Sequence, residues 1–364
     1  MSLSSSCFVA VTSWCAPERP APASRPHYPV RDGNPHTVMG MASVTLSSSN
    51  TARSIVTLTV NPALDVSTSI PRVESEHKLR CGPSRIDPGG GGVNVARTIH
   101  RLGGEVLAIY AAGGLTGATY RQLLEAEGVP SLAVPVAGMT RESFTVDETD
   151  SGEQFRFVLQ GPEFSEAEWQ GCLTTLEEAI APGGYVVASG SLPPGVPTDF
   201  YARVARLAHR HDARSIVDAS GEALDAALAE GVFLVKPSRR ELSELVGREL
   251  TSEQSEVDAA SELVTRGSAE LVALTLGKAG AVLASASAVI RLPVPEVRVL
   301  SAVGAGDGFL GAFVWRLAQC RDPESAFRSA VAAGSATAAK AATEMCTLAD
   351  VEVLEALLPE AVRY

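Results

Sequence analysis

Apolar residues recur along the chain in two alternating patterns from about residue 54 onward. Short β-branched runs predict strands, and longer segments with apolar positions at helical spacing predict helices. Strands that are separated by helices predict an α/β fold with a parallel sheet covered on both faces. The predicted strands are residues 55–60, 106–110, 185–189, 215–217, 232–236, 271–276 and 280–284. The predicted helices are residues 93–102, 117–127, 166–180, 198–209, 239–246, 257–266 and 307–320, with further ones within 323–341 and 348–358.

Two segments, residues 64–86 and 140–160, break this alternation because they are strand-like without helices between the strands. The second segment contains Asp-Ser-Gly at residues 150–152, which is a typical turn sequence. We therefore predict that the two segments form a small β lid beside the main sheet. An exposed lid has open edges, and pairing of two lids would cover them, so we expect a homodimer through the lid.

Residues 1–53 show neither the strand pattern nor the helical spacing, and they differ in composition from the rest of the chain. They hold four arginines, no lysine, and only Glu18 and Asp32 as acidic residues. This composition predicts a disordered N-terminal extension ahead of a folded region over residues 54–364. The alternatives are an organellar transit peptide, which is also poor in acidic residues, and a start site at Met39 or Met41.

The net charge limits the kinds of partner that the chain can have. The 364 residues include 30 Lys and Arg against 42 Asp and Glu, which gives −12; the extension contributes +2, so the folded region carries −14. Nonspecific binding to nucleic acid depends on Lys and Arg at the phosphates, so we expect none. The longest nearly uncharged apolar stretch, residues 279–290, is too short for a membrane span of roughly 18–20 residues. An anionic substrate would have to be bound by a few cations concentrated at one site.

The cysteines indicate a reducing compartment. They show neither a C-x-x-C pair nor regular spacing, which argues against a disulfide framework and against a metal knuckle. We therefore expect a cytoplasmic location. The six cysteines are Cys7, Cys15, Cys81, Cys172, Cys320 and Cys346.

The first of two glycine-rich clusters runs from Gly89 to Gly92 and continues with Val93 and Asn94 into a predicted helix. Glycines let the backbone approach a ligand closely, and the Asn94 amide can bind sugar hydroxyls. A flexible loop without a ligand is the alternative. Neither a Walker-type G-x-x-x-x-G-K-[ST] loop nor a G-x-G-x-x-G after the first strand occurs in the sequence.

The second cluster, Gly304, Ala305, Gly306 and Asp307, opens another predicted helix. Backbone N–H groups at a glycine-rich helix start can bind an anion. Asp307 beside such a site is well placed to accept the proton of a hydroxyl that attacks a bound phosphorus atom. Taken alone, Asp307 could equally be a helix cap.

These two clusters resemble the two signatures of the ribokinase/PfkB family of carbohydrate kinases. Further stretches resemble the PfkB-type bacterial 6-phosphofructokinases in particular, nearly without gaps from about residue 55 to the C-terminus. The resemblance implies a ribokinase-like three-layer α/β/α sandwich with a mostly parallel sheet and a β lid. It also implies ATP-dependent phosphorylation of fructose 6-phosphate at its 1-hydroxyl. The stretches are residues 57–65, 78–81, 88–97, 151–157, 189–195, 235–241 and 331–335.

The resemblance implies roles for residues on the sugar side. Asp307 would be the general base, and residues 304–306 would hold the transferred phosphoryl group. Asp65 would accept hydrogen bonds from sugar hydroxyls, while Lys78 and Arg141 would bind the phosphate that the substrate already carries. The other residues that would line the sugar are Gly90, Gly91, Gly92, Val93, Asn94 and Ser191.

The resemblance also implies a nucleotide side. Glu241 would organise Mg²⁺ through water, because Mg²⁺ keeps several waters in such sites. Ser238 stands where the family usually has Asn, which shortens the reach of that side chain toward the metal shell. The residues that would bind ATP are Lys236, Ser238, Thr275, Gly277, Gly280 and Ser335.

Relatives often bind a monovalent cation between the loop at residues 301–303 and the segment 337–344. In this chain Lys340, Ala342 and Glu344 replace the expected Asn, Gly and Arg. Ser301 and Val303 could still offer oxygen atoms, so a K⁺ site is expected only at those two residues. A second departure is Gly308, which stands where Ser or Ala is common after the aspartate.

The substrate is inferred from one further difference. The sibling enzymes 1-phosphofructokinase and tagatose-6-phosphate kinase usually show Gly-Gly-Lys-Gly where this chain has four glycines. The missing lysine, together with Lys78 and Arg141, favours fructose 6-phosphate. The two siblings remain alternatives, and a catalytically silent sugar-phosphate sensor is an alternative of another class. The expected partners are ATP and a phosphorylated hexose.

Overall fold

Short runs of buried, mostly apolar residues build two sheets in the computed structural model, which describes residues 55–320 and 322–364. The strands are β1 (Ile55–Thr59), β2 (Ala63–Ile70), β3 (Arg85–Gly89), β4 (Leu107–Ala112), β5 (Ser131–Pro135), β6 (Arg141–Glu148), β7 (Gln154–Val158), β8 (Tyr185–Ser189), β9 (Arg214–Asp218), β10 (Val232–Val235), β11 (Ala269–Thr275), β12 (Ala281–Ser285), β13 (Val289–Leu292) and β14 (Val362–Arg363).

The larger sheet has ten strands in the order β14-β13-β12-β11-β10-β9-β8-β1-β4-β5. Neighbouring strands from β5 to β11 are parallel, and β12, β13 and β14 add an antiparallel edge. The chain order reverses direction at β1, which lies between β4 and β8. In an open parallel sheet, a crevice for ligands forms at the carboxyl ends of the strands beside such a reversal.

Alternating side chains of the strands feed two separate hydrophobic cores. Tyr185 and Val187 of β8 enter one core, and Val186 and Ala188 enter the other. Each core is closed by helices, so the predicted α/β sandwich with helices on both faces is confirmed. The helices are α1 (Gly91–Arg101), α2 (Gly114–Ala126), α3 (Glu166–Ala179), α4 (Phe200–Arg210), α5 (Glu222–Glu230), α6 (Arg239–Val246), α7 (Glu253–Thr265), α8 (Ala305–Cys320), α9 (Pro323–Ala338) and α10 (Leu348–Glu355).

The smaller sheet has the strand order β3-β2-β6-β7 and lies where the lid is predicted. Its cross-strand register puts Ile86, Val66, Phe144 and Phe157 in one row. Residues directly opposite each other share a face of a sheet, so this face is apolar. The neighbouring row, with Asp65 opposite Ser143, lies on the other face and is polar.

Most predicted elements are present, and the differences have local causes. Helix α7 begins four residues before its predicted start because Ser252 forms a capping box with Ser255. Helix α1 begins inside the glycine run, so residues 89–92 are not a free loop. Four elements were not predicted, namely β5, α5, β13 and β14. Helix α5 is flanked by Gly221 and Gly231, both with positive φ, which is a boundary signal that the sequence does contain.

The predicted N-terminal extension, residues 1–53, lies outside the described residues. Within the part of the chain that the structure describes, no helix is long and apolar enough to cross a membrane.

Candidate active site

Polar side chains follow the carboxyl ends of four adjacent strands of the larger sheet. Ser189 ends β8, Asp218 ends β9, Lys236 follows β10 and Thr275 ends β11. Because these strands are parallel, the four side chains lie along one edge of the sheet. This edge is the crevice that the reversal of strand order predicts.

The glycine run brings β3 and α1 against this edge. Gly90 joins the two elements with a φ of 112°, a conformation that residues with a Cβ rarely adopt. A Cβ at Gly91 would overlap the hydroxyl of Ser189, and one at Gly89 would overlap the carboxylate of Asp65. The run therefore permits close approach of backbone to two polar side chains.

A cavity of about 320 Å³ lies between the polar face of the smaller sheet and this edge. We call it the lid cavity. Nine predicted residues line it, and Arg156 on β7 adds a second arginine beside Arg141 on β6. The predicted lining residues are Asp65, Gly90, Gly91, Asn94, Arg141, Ser191, Val303, Gly304 and Asp307. Further lining residues are Ser143, Thr145, Ser189, Asp218 and Ser220.

Asp65 combines a buried carboxylate with nearby positive charge. Burial raises its pKa to about 6, while Arg141, Arg97 and Arg156 oppose that rise. The Arg141 guanidinium also donates to the carbonyl oxygens of Asn61 and Leu159, which fixes it at the cavity wall. The cavity therefore carries two arginines and a carboxylate that can accept hydrogen bonds.

Asp307 lies in the first turn of α8 and accepts a hydrogen bond of 2.9 Å from the Asn94 side-chain amide. Burial raises the pKa of Asp307 to about 7, with a further upward contribution from Asp218. The Asn94 amide and Lys236 oppose this rise. A carboxylate with a pKa near neutrality is suited to accept a proton during catalysis.

Lys236 and Asp218 form a buried ion pair, with 3.0 Å between Nζ and Oδ1. Burial lowers the pKa of Lys236, but the charges of Asp218, Asp307 and Glu241 more than offset this, so its pKa is raised. The Lys236 ammonium lies 3.3 Å from the place where a Cβ at Gly306 would stand. A fixed positive charge is thus placed against the first turn of α8.

The first turn of α8 separates the lid cavity from a second cavity of about 360 Å³, which we call the apolar cavity. Ala305 and Gly306 line the apolar cavity, whereas Gly304 and Asp307 line the lid cavity. The first N–H groups of a helix have no partner within the helix, so this shared wall can bind an anion. The other lining residues of the apolar cavity include Thr275, Gly277, Lys278, Gly280, Val294, Val297, Val299, Phe309 and Ser335.

Comparison with known proteins decides the family. A profile of the pfkB family of carbohydrate kinases matches residues 58–349. This chain belongs to that family. The resemblance drawn from the two glycine clusters is thereby confirmed.

Similar family members are named as phosphofructokinases. The ATP-dependent 6-phosphofructokinase isozyme 2 of Mycobacterium tuberculosis (strain ATCC 25618 / H37Rv) is 46% identical over 298 residues, which cover 82% of this chain and 88% of that protein. The enzyme of the same name from Escherichia coli (strain K12) is 43% identical over 308 residues, which cover 84% of this chain and 98% of that protein.

Two crystal structures of Escherichia coli phosphofructokinase-2 are similar to the described fold. The complex with fructose-6-phosphate has a TM-score of 0.79 and 42% identity, covering 84% of this chain and 99% of that chain. The complex with potassium has a TM-score of 0.80 with the same identity and coverage.

Several residues that the family resemblance assigns to the site lie away from both cavities. Lys78 is exposed in the segment between β2 and β3 and does not line the lid cavity. Gly92 is packed against β1, where a Cβ would approach Thr59 and Leu58, and Val93 is fully buried in the core. Gly92 and Val93 therefore do not line the lid cavity but pack behind the residues that do.

Ser238 and Glu241 form the N-terminal capping box of α6. The Glu241 carboxylate accepts the Ser238 backbone N–H at 2.7 Å, and the Ser238 hydroxyl accepts the Glu241 N–H at 3.3 Å. Serine and asparagine are both favoured N-cap residues, so serine keeps a cap that the family's asparagine could also provide. Among the described residues, no group of three or more His, Cys, Asp or Glu side chains could hold a metal ion.

Ser335 and Ser301 are buried and turn their hydroxyls to the backbone. The Ser335 hydroxyl donates to the Val331 carbonyl inside α9, and the Ser301 hydroxyl accepts the Val303 N–H at 3.2 Å. Ala342 adopts a φ of 56°, a left-handed conformation that suits the glycine expected there.

Two charged residues that line the lid cavity, Asp218 and Arg156, escaped the sequence reasoning. Asp218 directly follows a predicted strand, so its position at a strand end was a usable signal. Arg156 lies within a stretch that resembles the family, but only the pairing of Arg156 with Thr145 shows which face it occupies.

Proposed function

We infer that this chain transfers the γ-phosphoryl group of ATP to the 1-hydroxyl of fructose 6-phosphate, as a 6-phosphofructokinase. The observation that carries this inference is the first turn of α8, which forms one wall of two cavities. The lid cavity carries arginines and the apolar cavity does not. A phosphorylated sugar fits the first cavity and a nucleotide base fits the second.

The residues at the shared wall fit the chemistry of phosphoryl transfer. Asp307 would accept the proton of the sugar hydroxyl as its oxygen bonds to the γ-phosphorus and the bond to ADP breaks. The N–H groups of the helix start and the Lys236 ammonium would stabilise the negative charge that spreads over the transferred group. The protein need not form a covalent bond to the substrate, so the rate enhancement comes mainly from how these groups are positioned.

The substrate assignment rests on charge in the lid cavity. Arg141 and Arg156 are placed to bind a phosphate that is already on the sugar, and guanidinium groups match phosphate geometry. The two relatives described above are named as 6-phosphofructokinases, which favours fructose 6-phosphate over fructose 1-phosphate and tagatose 6-phosphate. We extend the proposal to Asp65, Asn94 and Ser191 as partners of the sugar hydroxyls.

The nucleotide and ion sites follow from the same family. Residues 275–280, with Ser335, would contact the nucleoside, and Glu241 would hold Mg²⁺ through water. Glu241 fits this role because it contributes a negative charge next to Lys236 and Asp218. Mg²⁺ supplies neutralisation of the phosphate charge when bound with ATP. The K⁺ site at Ser301 and Val303 remains a proposal, favoured by the potassium complex of the Escherichia coli protein.

We also propose that residues 54–364 act as one kinase domain, in the cytoplasm, and pair through the apolar face of the smaller sheet. Phe157 and Ile86 on that face are 51% and 44% exposed. A second copy of the same face would remove these apolar side chains from water. Phe157→Glu should turn a dimer into a monomer in sedimentation velocity, whereas Leu115→Glu, at another exposed apolar residue, should not. A wild-type monomer at micromolar concentration would contradict the dimer.

The activity is tested with purified protein, MgATP and each of the three sugar phosphates, with ADP formation as the measurement. We expect fructose 6-phosphate to give the highest kcat/KM. Asp307→Asn should lower kcat by roughly 10²–10⁴-fold, the usual contribution of a general base, while fructose 6-phosphate still binds in calorimetry. Binding without ADP formation by the wild type would instead support the sensor.

A further inference from the structure

Arg97 is a buried charge that the catalytic scheme does not yet use. It lies on α1 one turn after Asn94, and only 1% of its side chain is exposed. Its Nε and Nη2 atoms donate to the two carboxylate oxygens of Glu127 at 2.8 and 2.6 Å. Such a bidentate pair is geometrically specific, so the guanidinium is held in one orientation.

The remaining Nη1 atom of Arg97 connects three separate segments. It donates to the Asn94 Oδ1 atom at 3.0 Å, to the Pro88 carbonyl at 3.0 Å and to the Thr343 carbonyl at 3.1 Å. Pro88 belongs to β3 of the smaller sheet, and Thr343 follows α9. Arg97 therefore bonds to β3 at the glycine run, to Asn94 on its own helix α1 and to the segment that follows α9.

The contact with Asn94 determines which way the amide faces. A guanidinium carries only donors, so it can face the Asn94 oxygen but never its NH₂ group. With Oδ1 held by Arg97, the Nδ2 atom must point the other way, where it donates to Asp307 Oδ2 at 2.9 Å. A free amide could rotate and present its oxygen to the carboxylate instead.

We propose that Arg97, anchored by Glu127, is a positioning residue that keeps an N–H donor of Asn94 on the base Asp307. This inference rests on the proposed function, because it requires Asp307 to act as the base. It adds a chain of contacts from Glu127 through Arg97 and Asn94 to Asp307.

These linked contacts predict an effect on the titration of Asp307. The groups that face this carboxylate are Asp218 on β9, Lys236 after β10, Asp65 on β2 and the Asn94 amide on α1. Burial and the two aspartates raise the pKa of Asp307, whereas the Asn94 bond and Lys236 lower it. Loss of the Asn94 donor should therefore raise that pKa further. The base would then be protonated at a higher pH, and the acid limb of the pH–rate profile would move upward.

The test replaces both members of the buried pair, since removing one would leave an unpaired charge. In the Arg97→Met, Glu127→Gln double variant, we expect the acid limb of kcat/KM to move up by about one pH unit, the size of one hydrogen bond to a charged group. The Tm is measured in parallel. Arg101→Met is the matched control, because Arg101 lies on the same helix and its Nη1 atom bonds to the Met345 carbonyl. It should leave the limb in place.

If the double variant does not fold, Arg97→Lys takes its place. Its ammonium is expected to pair with Glu127 and to leave the Asn94 amide free, so the limb should again move upward. A folded variant whose acid limb coincides with the wild type, even at a lower Tm, would reduce Arg97 to a structural role. Full activity of Asp307→Asn would instead overturn the proposed base, and with it the role proposed for the contacts that link Glu127 to Asp307.

Discussion

The two cavities on either side of α8 differ in how they can recognise a ligand. The lid cavity is lined by Asp65, Arg141, Arg156 and Asp307, so it presents charges of both signs to a ligand. The apolar cavity is lined mainly by small and aliphatic residues, with Lys278 as a cation among them. One cavity is built to bind by charge and the other by shape. The proposed chemistry is centred on the helix turn that both cavities share.

This difference predicts different sensitivities to substitution. A charge-assisted hydrogen bond in a partly buried site is worth more than the loss of a few apolar atoms. Substitutions in the lid cavity should therefore change the KM for fructose 6-phosphate strongly. Substitutions in the apolar cavity should change the KM for MgATP weakly.

Among substitutions that act on substrate binding, the largest effect is expected for the arginines of the lid cavity. Arg156→Ala and Arg141→Ala should each raise the KM for fructose 6-phosphate by roughly 10–100-fold, because each loses a charged hydrogen bond to the phosphate. The KM for MgATP should not change. Steady-state kinetics with either substrate varied provide the measurement.

The two arginines are not equivalent as tests. Arg141 also holds the carbonyls of Asn61 and Leu159, so its loss can loosen the cavity wall and lower kcat. Arg156 is the cleaner test. Arg72→Ala is the control, because Arg72 is an exposed residue of the same lid region paired with Glu74. Equal effects on the KM for both substrates would contradict the division of the two cavities.

A second test concerns the charge beneath the shared wall. Asp218 raises the pKa of Asp307, so Asp218→Asn should lower that pKa. A base works only when deprotonated, and its activity is lost as pH falls through its pKa. The acid limb of kcat/KM, expected near pH 7 in the wild type, should therefore move to lower pH. A pH–rate series for both proteins gives the shift.

Titration of the substrate phosphate also lies in this pH range, with a second pKa of about 6. That titration belongs to the substrate and cannot move when Asp218 is replaced. If the acid limb of Asp218→Asn stays in place, that limb reports the titration of the substrate phosphate and not that of Asp307.

The sequence predicted most strands, most helices and the glycine-rich start of α8, because periodicity and glycine clusters are local signals. Register is not local. Lys78 at the substrate phosphate stays a prediction, while the pairing of Thr145 with Arg156 places a second arginine at the cavity that local patterns did not indicate. The contact of Arg97 with Glu127 joins residues 30 positions apart and depends on how α1 packs beside the end of α2. Helix α5, in contrast, could have been found from its flanking glycines.

The third test concerns the packing that supports the shared wall. Alanine is a better helix former than glycine by about 1 kcal/mol, so Gly308→Ala in α8 would ordinarily stabilise the fold. A Cβ at residue 308 would, however, overlap the Thr337 hydroxyl of α9. We therefore expect Gly308→Ala to destabilise by about 1–3 kcal/mol, the usual cost of overpacking.

Thr337→Ala should relieve the overlap, so the double variant should be at least as stable as Thr337→Ala alone. Chemical denaturation of the four proteins in a double-mutant cycle gives the coupling energy. Additive free energies would show that the two side chains do not compete for the same space. The glycine at residue 308, where the family often has Ser or Ala, would then need another explanation.

The smallest effect is expected in the apolar cavity. Val299→Thr keeps the shape of the side chain but replaces a methyl group with a hydroxyl beside the proposed nucleoside. Burial of one methylene-sized group is worth about 0.8 kcal/mol, so the KM for MgATP should rise by roughly two- to fivefold. The KM for fructose 6-phosphate should not change. If this substitution raised the KM for the sugar instead, the two cavities would have been assigned to the wrong substrates, and the arginines would have to bind the nucleotide phosphates.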